Sequence, residues 1–351
     1  MIELPGRLRK ANLAVLDFHA RHPIVQLWGD GRKASSDMMS VDASQHLWNS
    51  RPDPRRRTLS VGFYTHVDNR HGLIGDMPWV LNERQAGVAI EGVERYNADI
   101  VGDRERLIML AVDTHGYTNF AMSTAKLRHV DLCPRLHSLA ERKICIPRGF
   151  GEIPEILEPV IARDVSLRGI RLGYDNLLRA TASLTTGHVS PSLLLQKLGS
   201  AARGDDLHRA GDHLGRLLRT IFLCDYYTRP EFRREIHTLL NRGESVHQLQ
   251  RAIYYGRIAH DRGRKTHEMV AISGAHALIT NLVIGWNISH MESTVSRLRA
   301  AGVEIQDDWL RRMGPAHFSQ INFRGVMRFP LQAYREALIE PVVSARRREL
   351  A

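Results

Sequence analysis

The stretch "RLIMLAVDTHG", Arg106 to Gly116, constrains the fold more than any other part of the sequence. Leu107 to Val112 is an unbroken apolar run, and Asp113 ends it in a polar turn. A short continuous run closed by turn residues predicts a strand buried on both faces, which points to an α/β core. "TLSVGFYTHV" (Thr58 to Val67) adds a second strand, with Leu59, Val61 and Phe63 on one side at the strand period. "PIVQLWGDG" (Pro23 to Gly31) predicts a third, closed by a Gly-Asp-Gly turn. Helices are expected over Leu8 to Ala20 and Asn82 to Tyr96.

From about Asp131 to Asn241 the pattern becomes helix after helix. Ile153 to Ala162, Ile170 to Leu184, Ser190 to Ala202, "DDLHRAGDHLGRLLRTIFLCDYY" and Pro230 to Leu240 are each predicted helical. Glu244 is then expected to open a further helix, with Gly243 as its boundary signal. Val246, Leu249 and Ile253 form the apolar stripe of that helix. His247, Gln248 and Arg251 share a face with Glu244, at i+3, i+4 and i+7. Thr266 to Met291 is helical again. The expected organisation is a helical lead-in over 1–22, a first part of the core over 23–130, a helical insertion over 131–241, and completion of the core with C-terminal helices over 242–351.

Charge narrows the partners. Among 351 residues, 49 Lys and Arg face 38 Asp and Glu, a formal net charge of +11. That excess favours a polyanionic partner, most simply nucleic acid. It is mostly Arg, as in "RPDPRRR" (Arg51 to Arg57) and "SARRREL" (Ser344 to Leu350), and Arg suits bidentate phosphate contact. For the C-terminal run, a solvated tail is the plainer reading. The three cysteines, Cys133, Cys145 and Cys224, are widely spaced, which argues against a disulfide framework or a cysteine zinc site. No apolar run of membrane-spanning length and no signal peptide stand out, so a cytoplasmic location is expected.

Four carboxylates are candidate ligands. Asp113 ends the central strand, at the edge where ligands gather in α/β sheets, although a turn-capping Asp fits equally well. Asp37 in "SSDMM" reads as a ligand, an N-cap or a turn residue. Asp30 in "WGDG" competes with it. Glu244 by itself reads as an acid favoured in a first helical turn. Phosphodiester cleavage gives a reason for combining three of them. Two Mg²⁺ about 4 Å apart, held by a few carboxylates, neutralise the phosphate, activate water and stabilise the leaving oxygen.

Six segments carry a resemblance in the same order as in a known family. They are "VDTHGYTNFAM", "DLCPRL", "GRLLRTIFLCDYY", "LNRGESVHQLQRAIYYGRI", "NLVIGWN" and "NFRGVMRFP", and "FHARHPIVQLWGDGRKASSD" precedes them. Together, from about Phe18 to Pro330, they resemble the C-terminal catalytic region of Tn-three family transposases. The resemblance implies an RNase H-like mixed sheet with a large all-helical insertion between a second Asp and a Glu. It assigns Asp37, Asp113 and Glu244 as catalytic, metal-binding acids. It also implies two Mg²⁺ ions, for which Mn²⁺ can substitute, and replicative DNA transposition by 3′-end cleavage and strand transfer. The implied partners are DNA, as transposon end and target, and a second copy or a full-length transposase, in a bacterial cytoplasm and without a membrane.

The family usually has Gly-Gln after the first Asp, whereas Met38 and Met39 follow here. Family members are also much longer, with N-terminal regions that recognise transposon ends. The chain is therefore expected to be a fragment, a remnant or a split product, impaired by truncation. The competing expectation is a catalytically silent fragment that only binds DNA or a partner. Arg242, His115 and Arg251 are candidate DNA contacts, with structural ion pairs or hydrogen bonds as the plainer alternatives. "GDGRK" lacks the ending of a P-loop, and the histidines show no paired zinc spacing.

Overall fold

The computed structural model describes residues 3–325, apart from 44–46, 54–56, 82, 101–103, 200–204, 256–257 and 259–261. The arginine run at 344–350 and the end of "NFRGVMRFP" lie outside the described residues. So do any C-terminal helices beyond 325. The chain divides after Phe318 into two units, and everything below lies in the first.

Helices α1 (Glu3–Ala20) and α2 (Pro23–Gln26) lead into β1 (Lys33–Asp42). Next come β2 (Arg51–Pro52), β3 (Leu59–Asp68), β4 (Leu73–Trp79), α3 (Ala86–Ala98), β5 (Met109–Val112), α4 (Asn119–Leu127) and β6 (Asp131–Pro134). β7 (Ile144–Pro147) and β8 (Ile161–Val165) precede α5 (Leu167–Thr185), α6 (Pro191–Gly199), α7 (Asp206–Thr228), α8 (Pro230–Ile253), α9 (Thr266–Ala300) and α10 (Asp307–Arg312).

The main sheet runs β2-β3-β1-β5-β6, with β4 also paired to β3. β1, β3 and β4 pair antiparallel, while β1, β5 and β6 pair parallel. Every residue of β5 is buried, as its unbroken apolar run requires of a strand covered on both faces. Along β1, Ser35, Asp37, Met39 and Val41 share one face, because side chains alternate across a strand. Met39 and Val41 join Ile258 and Met269 in one apolar cluster, and Ala34 joins the larger one with Tyr64 and Val88. Met39 is therefore a core residue facing the α8–α9 side.

α8 lies across β1, β3 and β5, α9 packs on β4, and α3 covers the opposite face of β3 and β4. His66 shows the alternation: its Nε2 bonds the Ala89 carbonyl of α3, while its neighbour Thr65 reaches α8. α9 meets the length and apolarity of a bilayer-spanning helix, contrary to expectation from the sequence. Its polar side chains, however, are bonded inside the fold. Asn281 donates to Asn12 Oδ1 (2.7 Å) and to the Leu73 carbonyl (2.8 Å), and Ser273 donates to the Asp76 carbonyl (2.6 Å).

Several expectations need correction. Pro23 to Gly31 is a short helix and a turn, not a strand. Pro23 sits in the first helical turn, where its missing N–H costs nothing, and Ile24 and Val25 are buried without a sheet. The sheet extends past residue 130, because β6 pairs with β5. The stretch after 131 also holds β7 and β8. Ile153 to Ala162 is a 3₁₀ segment over Glu155–Val160 that runs into β8, and Pro159 inside it cannot donate to an α-helical ladder.

The helix expected over Pro230 to Leu240 and the one expected to open at Glu244 are a single α8. Gly243 is a point of close approach within that helix: a Cβ there would stand 2.9 Å from Ser35 Oγ of β1.

Candidate active site

The register of the sheet sets two acids side by side. Ser36 of β1 pairs with Val112 of β5 in parallel, so Asp37 and Asp113 are the next residues on adjacent strands, which lie about 4.8 Å apart. Asp37 is in mid-strand, neither a cap nor a turn, and its Oδ1 accepts the Met38 N–H (2.7 Å). Burial pushes its carboxyl pKa above the usual range. His247 opposes that shift, and the charges of Asp113 and Glu244 add to it. Asp113 is also a turn residue: its Oδ1 accepts the N–H groups of His115 (2.9 Å) and Gly116 (3.0 Å).

α8 brings the third acid from above. The absent side chain at Gly243 lets the helix settle on Ser35, and Glu244 follows directly. Glu244 sits between two cations or potential cations. Arg251 donates to its Oε1 at 2.7 Å, and His247 Nδ1 stands 3.5 Å from its Oε2. His247 first, and Arg251 after it, outweigh burial and hold the Glu244 carboxyl down to about 2.

His247 is buried, with 2% of its side chain exposed, and its Nε2 bonds Thr65 Oγ1 of β3. Ligand atoms of Asp37, Glu244 and His247 all lie within 4.8 Å of one another. Asp113 is outside that tight trio but close enough for its charge to reach Asp37. A cluster of carboxylate oxygens with one imidazole nitrogen is a donor set suited to a divalent cation such as Mg²⁺ or Mn²⁺.

The chain matches the Tn3 transposase DDE domain over residues 4–326. It belongs to this family. The transposase for insertion sequence element IS1071 in transposon Tn5271, from Comamonas testosteroni, is 44% identical over 333 residues, 95% of this chain and 34% of that protein. The transposase for transposon Tn21 from Escherichia coli is 29% identical over 307 residues, 87% of this chain and 30% of its own. That for transposon Tn1546 from Enterococcus faecium is 27% identical over 323 residues, 92% and 32% respectively. The chain thus spans about a third of the length of these relatives.

Within this Tn3 transposase DDE domain the remaining candidates separate. His115 is exposed and its Nδ1 lies 3.2 Å from Asp113 Oδ2. Arg251 is at the site as the partner of Glu244. Arg242 is not: its guanidinium donates to the carbonyls of Trp28 (3.1 Å) and Asn69, a structural role. Asp30 is tied to its own turn, accepting from Arg32 N–H (3.0 Å) and Asn69 Nδ2 (2.8 Å). It is not among the clustered acids.

His247 is the residue that the sequence left unselected. Its one signal was the i+3 spacing from Glu244, which every helix offers somewhere. Beside the Asp113 turn opens a cavity of about 880 Å³, lined by Thr114, Tyr117, Asn119, Arg142, His208 and Arg219 among others.

Proposed function

We propose that this chain is the catalytic region of a DDE transposase, which cleaves DNA at a transposon 3′ end and joins that end to target DNA. The observation that carries the reading is the clustering of Asp37 of β1 with Glu244 of α8, with Asp113 beside Asp37 just past the end of β5. Two acids on adjacent strands with a third from a helix laid across them also support an RNase H-like sheet, with α5 to α7 as the body of the insertion.

In the first reaction a water oxygen bonds to phosphorus and the P–O3′ bond breaks, leaving a 3′-OH on the element and a 5′-phosphate on the flank. In the second, that 3′-OH bonds to a target phosphorus and releases a target 3′-OH. In this family's pattern the outcome is replicative. Asp37, Asp113 and Glu244 would hold divalent cations, Mg²⁺ or Mn²⁺, which when bound neutralise phosphate charge and lower the pKa of water.

The chain's own residues prepare this. The two bonds from the turn N–H groups fix the Asp113 carboxylate in one orientation. Arg251 and His247 keep Glu244 ionised and therefore always able to act as a ligand. Arg142 and Arg219 by the cavity give a DNA strand a basic approach beside Asp113. DNA as end and target, and a second copy or full-length transposase, are the partners in this reading. The setting is a bacterial cytoplasm.

The test is metal-dependent nicking and strand transfer on an oligonucleotide carrying the element's end, with Glu244→Ala as the control. Activity in the wild type that disappears in the control supports catalysis. DNA binding without any cleavage would instead favour a silent DNA-binding module.

A further inference from the structure

Thr65 lies between two partners that fix the chemistry of His247. Its hydroxyl has one hydrogen, and the main-chain carbonyl of Asp37, 3.3 Å away, can only accept. With that hydrogen directed at the carbonyl, Thr65 Oγ1 receives the bond from His247, so Nε2 carries the proton. The other ring nitrogen, Nδ1, is then the one available to a cation. Nδ1 is the atom that faces Glu244 Oε2 at 3.5 Å, inside the cluster with Asp37.

Without a cation, a hydrogen on Nδ1 bonds the Glu244 carboxylate and holds it ionised; a bound cation takes the place of that hydrogen. Ligands at about 2.1 Å from an octahedral ion are separated by about 3 Å when adjacent and about 4 Å when opposite. Nδ1 and Oε2, 3.5 Å apart here, would close by about 0.5 Å to reach the adjacent spacing. The ring is also buried and clamped, so little side-chain freedom remains to be lost on binding.

We propose that His247 is a nitrogen ligand of the metal site, binding through Nδ1 beside Asp37 and Glu244, with Thr65 as the residue that positions it. The inference rests on the metal-dependent reading above. It adds a chemical preference: an imidazole ligand shifts an oxygen-rich site from Mg²⁺ toward Mn²⁺ and other first-row transition cations. The Thr65–His247 pair is then an outer-shell hydrogen bond of the kind that fixes the tautomer and direction of metal-bound histidines.

The experiment is pulsed electron paramagnetic resonance of Mn²⁺ bound to the whole chain, read for coupling to a directly bound nitrogen. Wild type should show ¹⁴N coupling that converts to ¹⁵N when only histidine is labelled. His247→Gln should lose it, and His115→Ala should keep it. Thr65→Val should weaken Mn²⁺ binding by about 10- to 100-fold, and Thr65→Ser should restore it. If His247→Gln does not fold, labelled wild type and Thr65→Val still decide the matter.

Mn²⁺ bound without nitrogen coupling, and lost in Asp37→Asn, would overturn the His247 ligand and leave the transposase reading standing. Coupling that survives His247→Gln would overturn it too. Absence of any Mn²⁺ binding that depends on Asp37 or Glu244 would remove both.

Discussion

Asp37 and Glu244 carry the same functional group on opposite sides of one site, and their surroundings pull them apart. Asp37 stands on the sheet, where burial and neighbouring acids raise its pKa despite His247. Glu244 rides on a helix, half exposed, with His247 and Arg251 holding its carboxyl down to about 2. The sheet concentrates negative charge, and the helix brings Arg251 as a compensating positive charge. A cation would reverse the sign of the problem on the sheet side, where ionised acids otherwise repel.

The largest effects should come from removing the charges themselves. Asp37→Asn, Asp113→Asn and Glu244→Gln should each lower metal-dependent cleavage by on the order of 10³-fold or more, as loss of a main electrostatic stabiliser does. The comparison sharpens in thermal melting without metal. Asp37→Asn should unfold no lower than wild type, because it removes an acid that burial disfavours. A strongly lowered midpoint would show that Asp37 is a structural ion-pair partner instead.

Next comes the seating of the helix. Gly243→Leu should destabilise by about 1–3 kcal/mol, because overpacking against Ser35 exceeds the gain of about 1 kcal/mol in helix propensity. Cleavage should fall further than stability does, since Glu244 is lifted off the sheet. Unchanged activity in a destabilised protein would separate α8 from the chemistry.

Metal-free unfolding against pH should show opposite slopes for the two acids. Glu244 lies below its ordinary 4.5 in the fold, so its stabilisation is present above that pH and is lost as pH falls toward about 2. Asp37 lies above its ordinary 3.8, so stability falls as pH rises from there through the raised value. Glu244→Gln should flatten the acid limb, and Asp37→Asn the limb above it. Shifts of the same sign in both variants would break the comparison.

The smallest effect belongs to Arg251→Gln. Its pair with Glu244 is solvent-exposed and worth about 0.2–1 kcal/mol, so Mn²⁺ affinity should change by no more than about fivefold.

Much of the scaffold was legible because some segments permit only one reading. The unbroken run at Leu107 to Val112 pointed to a doubly covered strand, and its last four residues, Met109 to Val112, are β5, whereas Ile108 is exposed. Segments near Pro23 and Pro159 misled because short apolar runs do not separate helix from strand. Gly243 looked like a helix end because glycine ends helices more often than it admits a neighbouring strand. The nearness of Asp37 to Asp113 depends on the register of β1 against β5, which no local pattern encodes. His247 was harder still. Its role hangs on Thr65, 182 residues away, and a lone histidine beside an apolar stripe usually means ordinary packing.

The continuity of α8 has a mechanical consequence. The helix begins at Pro230, where Arg233 Nη1 clamps the carbonyls of Tyr226 (2.9 Å) and Tyr227 (3.2 Å) at the end of α7. Glu244 lies fourteen residues along, about 21 Å from that corner at 1.5 Å per residue. A rod of that length pivoting by about 5° carries its far point about 2 Å. The α7 corner and the third acid therefore sit on one unbroken helix, so the end of α7 is covalently in register with the acid on the sheet.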